Sequence, residues 1–529
     1  MKWDEVNFNM IFLQLTIILG YLITESKPTR WTGLNLPEEH IPYYFNNNKQ
    51  LKKLCNEDDQ CPYKKYTSTQ KCWGYEKNCR EVDRMSMPSC PEDSRAWAKT
   101  KADQLTMFWK QGDFGYVSER KSELMDLCQP QSKGDSSLRC TKYARYCEVK
   151  NLYIDFKNLR SEKFSEKFRE NIFSKGEIGG KCKMDRRKLA EQSMHKSALQ
   201  SWYAEMEQFD ALDFNPSKKK NCDISYDKPV IFIKLDAGVN MYHHFCDFIN
   251  IYASQHMNNS FSTDIHIVMW DTSYTGYGDF FSDTWKAFTD YPVIHLKDFD
   301  GKKVCFKSGM FSLLARMRSG LYYNMPLVPG CYGTSLFRAF SQHVLHRLDV
   351  EQTGPLKSKI RITLLSRSTK YRKFLNQEEL VSAMKSVGEY EVNVVDYNWR
   401  TFKFPDQLRS THNSDIFIGM HGSGLTHGLF LPDWGVLFEA YNCDDANCYK
   451  DLARLRGVKY MTWENIDKLD QEDEGHHPQL GAHKKFTNYA FDVREFMRMV
   501  HNAADHVRNH PSFIEARNHK YSEDTKDEL

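Results

Sequence analysis

Beyond residue 225 the chain alternates short apolar runs with longer amphipathic ones, and this alternation is its strongest structural signal. Residues 230–235 (VIFIKL) predict a strand, 242–257 a helix, and 265–270 (IHIVMW) the next strand. Residues 334–348 predict a helix with Leu336, Phe337, Phe340, Val344 and Leu348 near one face. The second half repeats the pattern more cleanly, with strands at 360–365, 390–395 and 416–420 and helices at 377–387 and 405–411. A glycine loop and a further helix then lead to a strand at 436–441. Strands separated by helices of this length imply parallel sheets of the βαβ type. Two such halves predict an α/β chain with two Rossmann-like domains facing a cleft. Ligands in such folds sit outside the carboxyl ends of the strands, which directs attention to the loops that follow them.

The front of the chain has a different texture. Eight of the 15 cysteines (Cys55, Cys61, Cys72, Cys79, Cys90, Cys128, Cys140 and Cys147) fall before residue 150, in a segment short of aliphatic runs. That predicts a disulfide-rich N-terminal region, and the odd total leaves at least one thiol or an intermolecular bond. Cysteines in this number suit an oxidising compartment. No Cys-x-x-Cys occurs, which argues against a thioredoxin-like oxidoreductase.

The two ends point the same way. Residues 10–23 (MIFLQLTIILGYLI) have the length of a signal-peptide core and fall short of the roughly 20 apolar residues of a membrane span. Because Lys2 is offset by Asp4 and Glu5, an uncleaved anchor is the alternative. Lys526-Asp527-Glu528-Leu529 is an endoplasmic reticulum retention signal, read by the KDEL receptor. The expected division is a signal peptide at 1–25, the cysteine-rich region at 26–225 and Rossmann-like domains at 226–350 and 351–480. A C-terminal helical region at 481–525 and the retention signal at 526–529 complete it. No internal repeat is visible, and 216–220 and 467–477 read as a linker and an exposed loop. A formal net charge of +3 gives no support for nucleic-acid or membrane-surface partners. Asn258-Asn259-Ser260 is an open glycosylation sequon, whereas Pro216 blocks the one at Asn215.

The sharpest candidate site follows the strand at 416–420: His421-Gly422-Ser423-Gly424-Leu425-Thr426-His427-Gly428. A strand, a glycine turn and a helix start offer backbone N–H groups to an anion, with His421, Ser423 and Thr426 as further donors. The spacing is neither Walker A, nor G-x-G-x-x-G, nor the G-x-S-x-G elbow of hydrolases. The structural alternative is a tight turn with Ser423 as N-cap. Glu439 interrupts an apolar strand, so it needs a partner, either ribose hydroxyls or an ion pair. After the strand at 360–365 come four cations and three hydroxyls in Ser366-Arg367-Ser368-Thr369-Lys370-Tyr371-Arg372-Lys373. Arg367 is the favoured diphosphate ligand there because guanidinium grips phosphate bidentately; Arg372 and Lys373 fit a solvated basic loop equally well. In the first half, His243, His244 and Asp247 open a helix, with both His-to-Asp spacings on one face. Asp247 or His244 as general base, a zinc site, and simple packing are the three readings. Asp298-Phe299-Asp300 offers two carboxylates for a divalent cation, or a turn bent at Asp300-Gly301.

Residues 240–248 (NMYHHFCDF), 361–367, 418–427 (IGMHGSGLTH) and 431–439 together resemble glycosyltransferase family 61, over roughly 225–465. The resemblance implies a GT-B-type transferase that moves N-acetylglucosamine from UDP-N-acetylglucosamine to Ser or Thr of folded EGF-like modules, with inversion. Acceptors would be secreted and membrane proteins such as Notch-type receptors and matrix proteins. In that frame Arg367 and the loop of His421, Gly422, Ser423, Gly424 and Thr426 would hold the diphosphate, and Glu439 the ribose or uridine. Asp247 or His244 would be the base. Asp298 and Asp300 would hold Mn or Mg, although two-Rossmann transferases usually stabilise the diphosphate without a metal. Two other classes compete: a non-catalytic lumenal lectin or chaperone on the same fold, and a zinc hydrolase built on His243, His244 and Asp247.

Overall fold

The structure, a computed structural model, describes residues 31, 34–85, 88–92, 97–318, 320–322, 325–445 and 447–523. The apolar run at 10–23 and the terminal Lys526 to Leu529 lie outside the described residues. No described helix is long and apolar enough to cross a membrane.

Sixteen strands make up the two main sheets. The first sheet takes β1 (Met125–Gln129), β2 (Ser137–Cys140), β3 (Cys147–Asp155), β4 (Ile178–Gly180), β5 (Lys183–Met184) and β6 (Phe209–Ala211) from the front of the chain. It continues with β7 (Ile224–Tyr226), β8 (Val230–Ile233), β9 (His266–Met269), β10 (Ile294–His295) and β11 (Lys303–Phe311). Along its main path the order is β10-β9-β8-β11-β3-β2-β1-β5. β10, β9, β8 and β11 run parallel, and β3 then joins β11 antiparallel over eight residue pairs, from Lys303 opposite Asp155 to Phe311 opposite Cys147. The sheet therefore takes strands from both sides of residue 225. The cysteine-rich front, irregular in its sequence pattern, supplies half of a mixed sheet.

The second sheet is wholly parallel. It contains β12 (Ile360–Leu365), β13 (Tyr390–Val395), β14 (Ile416–Gly419), β15 (Val436–Glu439) and β16 (Lys459–Thr462), in the order β13-β12-β14-β15-β16. All residues of β12, β14 and β15 are buried, as strands covered on both faces must be. The helices that matter for the site are α1 (Met241–Asn258), α2 (Ser335–Arg347), α3 (Gln377–Lys385), α4 (Phe404–His412), α5 (Cys448–Arg456) and α6 (Val493–Asn509). The helix expected after the glycine loop is a 3-10 helix over Ser423–Phe430, capped by Gly422 rather than Ser423. The stretch expected to be an open loop at 467–477 holds short strands at Leu469–Gln471 and His476–His477.

One apolar core joins the halves: Phe245 of α1 packs its ring 5.9 Å from Phe404 of α4 and 5.6 Å from Phe430. A second core lies between the parallel sheet and α6, where Phe496 stacks on Phe438.

Twelve cysteines pair, as Cys55–Cys61, Cys72–Cys79, Cys90–Cys331, Cys128–Cys182, Cys140–Cys147 and Cys222–Cys305. Cys246, Cys443 and Cys448 remain thiols. Burial pushes the Cys443 and Cys448 thiols up to about 12, which keeps them protonated and poorly nucleophilic.

The front half is also tied to β8 by a buried charge. Lys234, just past β8, has a fully buried side chain and an ion pair with Glu205 at 2.7 Å. Its ammonium donates to the carbonyls of Ala198 and Ser201 and lies 4.5 Å from the ring centre of Trp202. Burial lowers the Lys234 pKa and Glu205 opposes that. Removing only one partner strands a charge, so Glu205→Ala is expected to lose about 3–5 kcal/mol in urea unfolding. Glu205→Leu combined with Lys234→Met should recover most of that loss.

Candidate active site

The parallel sheet has its topological switch point between β12 and β14: the chain leaves β12 toward β13 on one side and β14 toward β15 on the other. Loops that diverge in this way open a crevice at the carboxyl ends of the strands. Arg367 follows β12 and Gly422 follows β14, so both stand at that crevice.

They also touch. A Cβ on Gly422 would lie 2.6 Å from Arg367 Nη1 and 3.5 Å from Arg372 Nη1, and Gly422 has φ +153°. Only glycine admits two guanidinium groups this close to the backbone. Arg372 Nη1 donates to the carbonyl of His421 at 3.1 Å. The Nε atoms of Arg367 and Arg372 are buried without a hydrogen-bond acceptor, and neither side chain forms an ion pair among the described residues. Burial, with Arg372 as neighbour, pushes the Arg367 pKa down to about 10, so it stays charged at neutral pH. Two uncompensated cations above a glycine turn call for an anion. Arg372, which the sequence left equally well explained as a solvated loop residue, belongs to this cradle.

The rest of the glycine loop divides by depth. His421 Nδ1 pairs with Glu439 Oε1 at 2.8 Å, and Tyr460 Oη donates to Glu439 Oε2 at 2.5 Å. Both carboxylate oxygens of buried Glu439 are therefore engaged by side chains of the protein, as a buried carboxylate requires. His421 Nε2 lies 3.6 Å from Asp445 Oδ2, so the imidazole is bracketed by two acids. Ser423 and Gly424 are half-buried at the start of the 3-10 helix, where backbone N–H groups lack helical acceptors. Thr426 is fully buried. His427 is also buried, bonded to Gly424 O and Gln407, and burial pushes its pKa down to about 4, so it is neutral at physiological pH.

In the first half of the fold, α1 starts after β8 with Asn240 as N-cap, its side chain accepting from Tyr242 N. His244 has no exposed side-chain surface; it stacks on Phe248 at 4.3 Å, and Nε2 pairs with Asp279 at 3.2 Å. Asp247 is 3 % exposed and accepts from the backbone N–H of Asp236 at 3.0 Å. Burial, reinforced by the neighbouring charge of Asp236, raises the Asp247 pKa well above its ordinary value. An interior carboxyl and an enclosed imidazole are poorly placed to take a proton from an incoming hydroxyl. His243 differs: its side chain is 24 % exposed, and Nδ1 pairs with Asp236 Oδ2 at 2.8 Å. The three residues of the zinc reading thus turn to different partners and do not converge on one point.

The two loop systems meet through aromatic rings. The ring of Tyr242 is 5.8 Å from that of Tyr449 on α5, which is 5.3 Å from the imidazole of His421. The α1 start and the glycine loop are therefore neighbours, joined by packed rings.

The Asp-x-Asp element lies elsewhere and does not fit a cation. Asp300 Oδ1 accepts from Arg160 N at 2.7 Å, and Oδ2 accepts from Ser161 N and Ser161 Oγ at 2.8 and 2.9 Å. Asp298 Oδ2 accepts from His295 N at 3.1 Å, and Phe299 is buried against Phe156, Tyr226 and Phe306. Among the described residues the one cluster with metal-ligand geometry is Cys72, Glu76 and Cys79, whose two sulfurs form a disulfide. The element works as a brace for the turn at 160–161. Asp300→Ala is expected to lower stability by about 2 kcal/mol in urea titration, because it strands three donors. Excess chelator should leave turnover of the unmodified chain unchanged.

Asn258, in the sequon, is exposed at the C-terminal end of α1. Its Oδ1 accepts from Ser260 N at 3.1 Å.

The sequence profile of the family Glycosyltransferase 61 matches residues 188–437. A Bos taurus protein named EGF domain-specific O-linked N-acetylglucosamine transferase is 58% identical over 484 residues, 91% of this chain and 92% of the relative. Proteins of the same name from Gallus gallus and Drosophila melanogaster are 55% and 45% identical, covering 92% and 94% of this chain and 92% and 95% of their own lengths. A paired-arginine anion cradle at a switch point, inside a chain matched almost end to end, leads to one statement: this chain belongs to glycosyltransferase family 61 and is a glycosyltransferase.

Proposed function

We propose that the chain transfers N-acetylglucosamine from UDP-N-acetylglucosamine to Ser or Thr hydroxyls of folded EGF-like modules in the endoplasmic reticulum lumen, inverting the anomeric carbon. The observation that carries this reading is the Arg367–Arg372 pair above Gly422, a cradle for the charge that a nucleoside diphosphate gains as it departs. The relatives' names supply the sugar and the acceptor class. The terminal Lys-Asp-Glu-Leu and the 12 paired cysteines support the lumen, where Notch-type receptors and matrix proteins fold. In this reading the halves that meet at Tyr242 and Tyr449 form a GT-B-type pair, with the parallel sheet on the donor side.

Transfer is a single displacement. Arg367, Arg372 and the amides that open the 3-10 helix hold the diphosphate, while Glu439 orients His421 beside it. No step is assigned to a metal at Asp298 or Asp300, because their oxygens brace the fold. A lectin or chaperone on this fold would have no use for two unpaired guanidinium groups on a glycine loop.

The test is incubation of the full chain with UDP-N-acetylglucosamine and a folded EGF-like module, scored by mass and by the configuration of the new linkage. A gain of one N-acetylhexosamine in β linkage is the expected product. An unmodified module, with both proteins folded, would refute the reading.

A further inference from the structure

We propose that His243, held by Asp236 and Arg316, is the general base that deprotonates the acceptor hydroxyl. The inference deepens the transferase reading and rests on it.

Asp236 stands in the loop between β8 and α1, at the carboxyl end of a parallel strand, where this class of sheet presents its ligands. One of its oxygens, Oδ2, lies 2.8 Å from His243 Nδ1 and 2.8 Å from Arg316 Nε, while its backbone N–H is held by Asp247. Burial works against the Asp236 charge, but the contacts with His243 and Arg316 outweigh it and keep the carboxyl below its ordinary value. An ionised carboxylate at Nδ1 fixes the proton on that nitrogen and leaves the lone pair on Nε2. Asp236, anchored from two further directions, fixes the ring as the third member of a catalytic triad does. Among the described residues, the titratable groups around this unit are Asp236 and Tyr242 next to the imidazole, Arg316 and Asp247 next to Asp236, and the buried Cys246 thiol and Tyr277 near both Asp236 and Asp247. His243 is the partly exposed member of the set His243, His244 and Asp247, and its neighbour Tyr242 faces Tyr449 beside the anion cradle.

In the step itself, His243 Nε2 takes the Ser or Thr hydroxyl proton as that oxygen bonds to the anomeric carbon. The bond from that carbon to the diphosphate oxygen breaks, its electron pair leaves with UDP, and the imidazolium returns its proton to solvent.

The experiment measures rate against pH for wild type, His243→Gln and Asp236→Asn, with UDP binding followed by calorimetry. Wild type should show an acid limb in kcat/KM, as expected when a base must be unprotonated to act. His243→Gln should lose that limb, drop kcat by about 10²-fold or more, and bind UDP as wild type does. Asp236→Asn should lower kcat while shifting the limb, as expected for a residue that sets the tautomer. Transfer by wild type together with unchanged kcat in His243→Gln would overturn the base alone. A wild-type profile with no such limb would do so without any variant needing to fold. Absence of transfer by wild type would overturn the transferase reading, and the base with it.

Discussion

Arg367→Ala is expected to lower kcat/KM for the nucleotide-sugar donor by about 10³-fold while leaving the fold intact, since such a group acts on charge that develops in the transition state. The measurement is donor turnover with a folded EGF-like acceptor, alongside a thermal unfolding curve. Arg367→Lys should not rescue, because an ammonium is a point charge and cannot bridge two phosphate oxygens from one plane. Gly422→Ala should fail for a related reason: its Cβ would occupy a position 2.6 Å from Arg367 Nη1. The stability readout makes the prediction specific. A depressed guanidinium pKa means that the fold disfavours the charged form, and at neutral pH Arg367 is charged. The empty site therefore carries a cost that an anion removes. UDP should raise the unfolding temperature of wild type, whereas Arg367→Ala should be no less stable than wild type without ligand and gain less from UDP. Full activity in Arg367→Ala would remove the diphosphate assignment.

Loss of the Cys90–Cys331 bond is the second large effect. This disulfide spans 241 residues, and Ser89 and Tyr332 exchange backbone hydrogen bonds at 2.8 Å beside it. In the chain-entropy account a loop of that length restricts the unfolded state by about 5 kcal/mol, a large share of a typical domain's stability. Cys140–Cys147 spans only 7 residues and is worth about 2 kcal/mol on the same account. Cys90→Ser should therefore lower the urea midpoint and the yield of folded protein much more than Cys140→Ser does. Equal losses would show that local packing, and not chain restriction, sets the contribution of these bonds.

Four of the five strands of the parallel sheet were legible in the sequence, and β16 was not. β12, β14 and β15 are buried strands and β13 a partly exposed edge strand, and each was visible as an apolar or alternating run. β11 was not, because Lys307, Ser308 and Gly309 break its apolar run; it is a strand because β3 and β8 flank it. β1 to β3 were hidden likewise, since their apolar positions alternate with charges; they pair locally with one another, and only β3 reaches a partner, β11, more than a hundred residues away. The site followed the same rule. Arg367 and the glycine loop could be found locally, as a cation and a turn after a strand. Asp236 could not, because what distinguishes it is the meeting of His243 and Arg316 on one oxygen. His244 and Asp247 shared the helix spacing of a site but face the interior, and spacing alone does not report depth.

The sheet shared across residue 225 has a consequence for how this protein can be divided. The family profile begins at residue 188, after β3 has paired with β11 and β1 with β2. A fragment cut at that boundary would bare one whole flank of β11, eight residue pairs long, to any other chain seeking a ladder. The stretch that the family profile covers is thus shorter than the stretch that completes the sheet. The cysteine-rich front is best regarded as part of the catalytic body, inherited with it and inseparable from it.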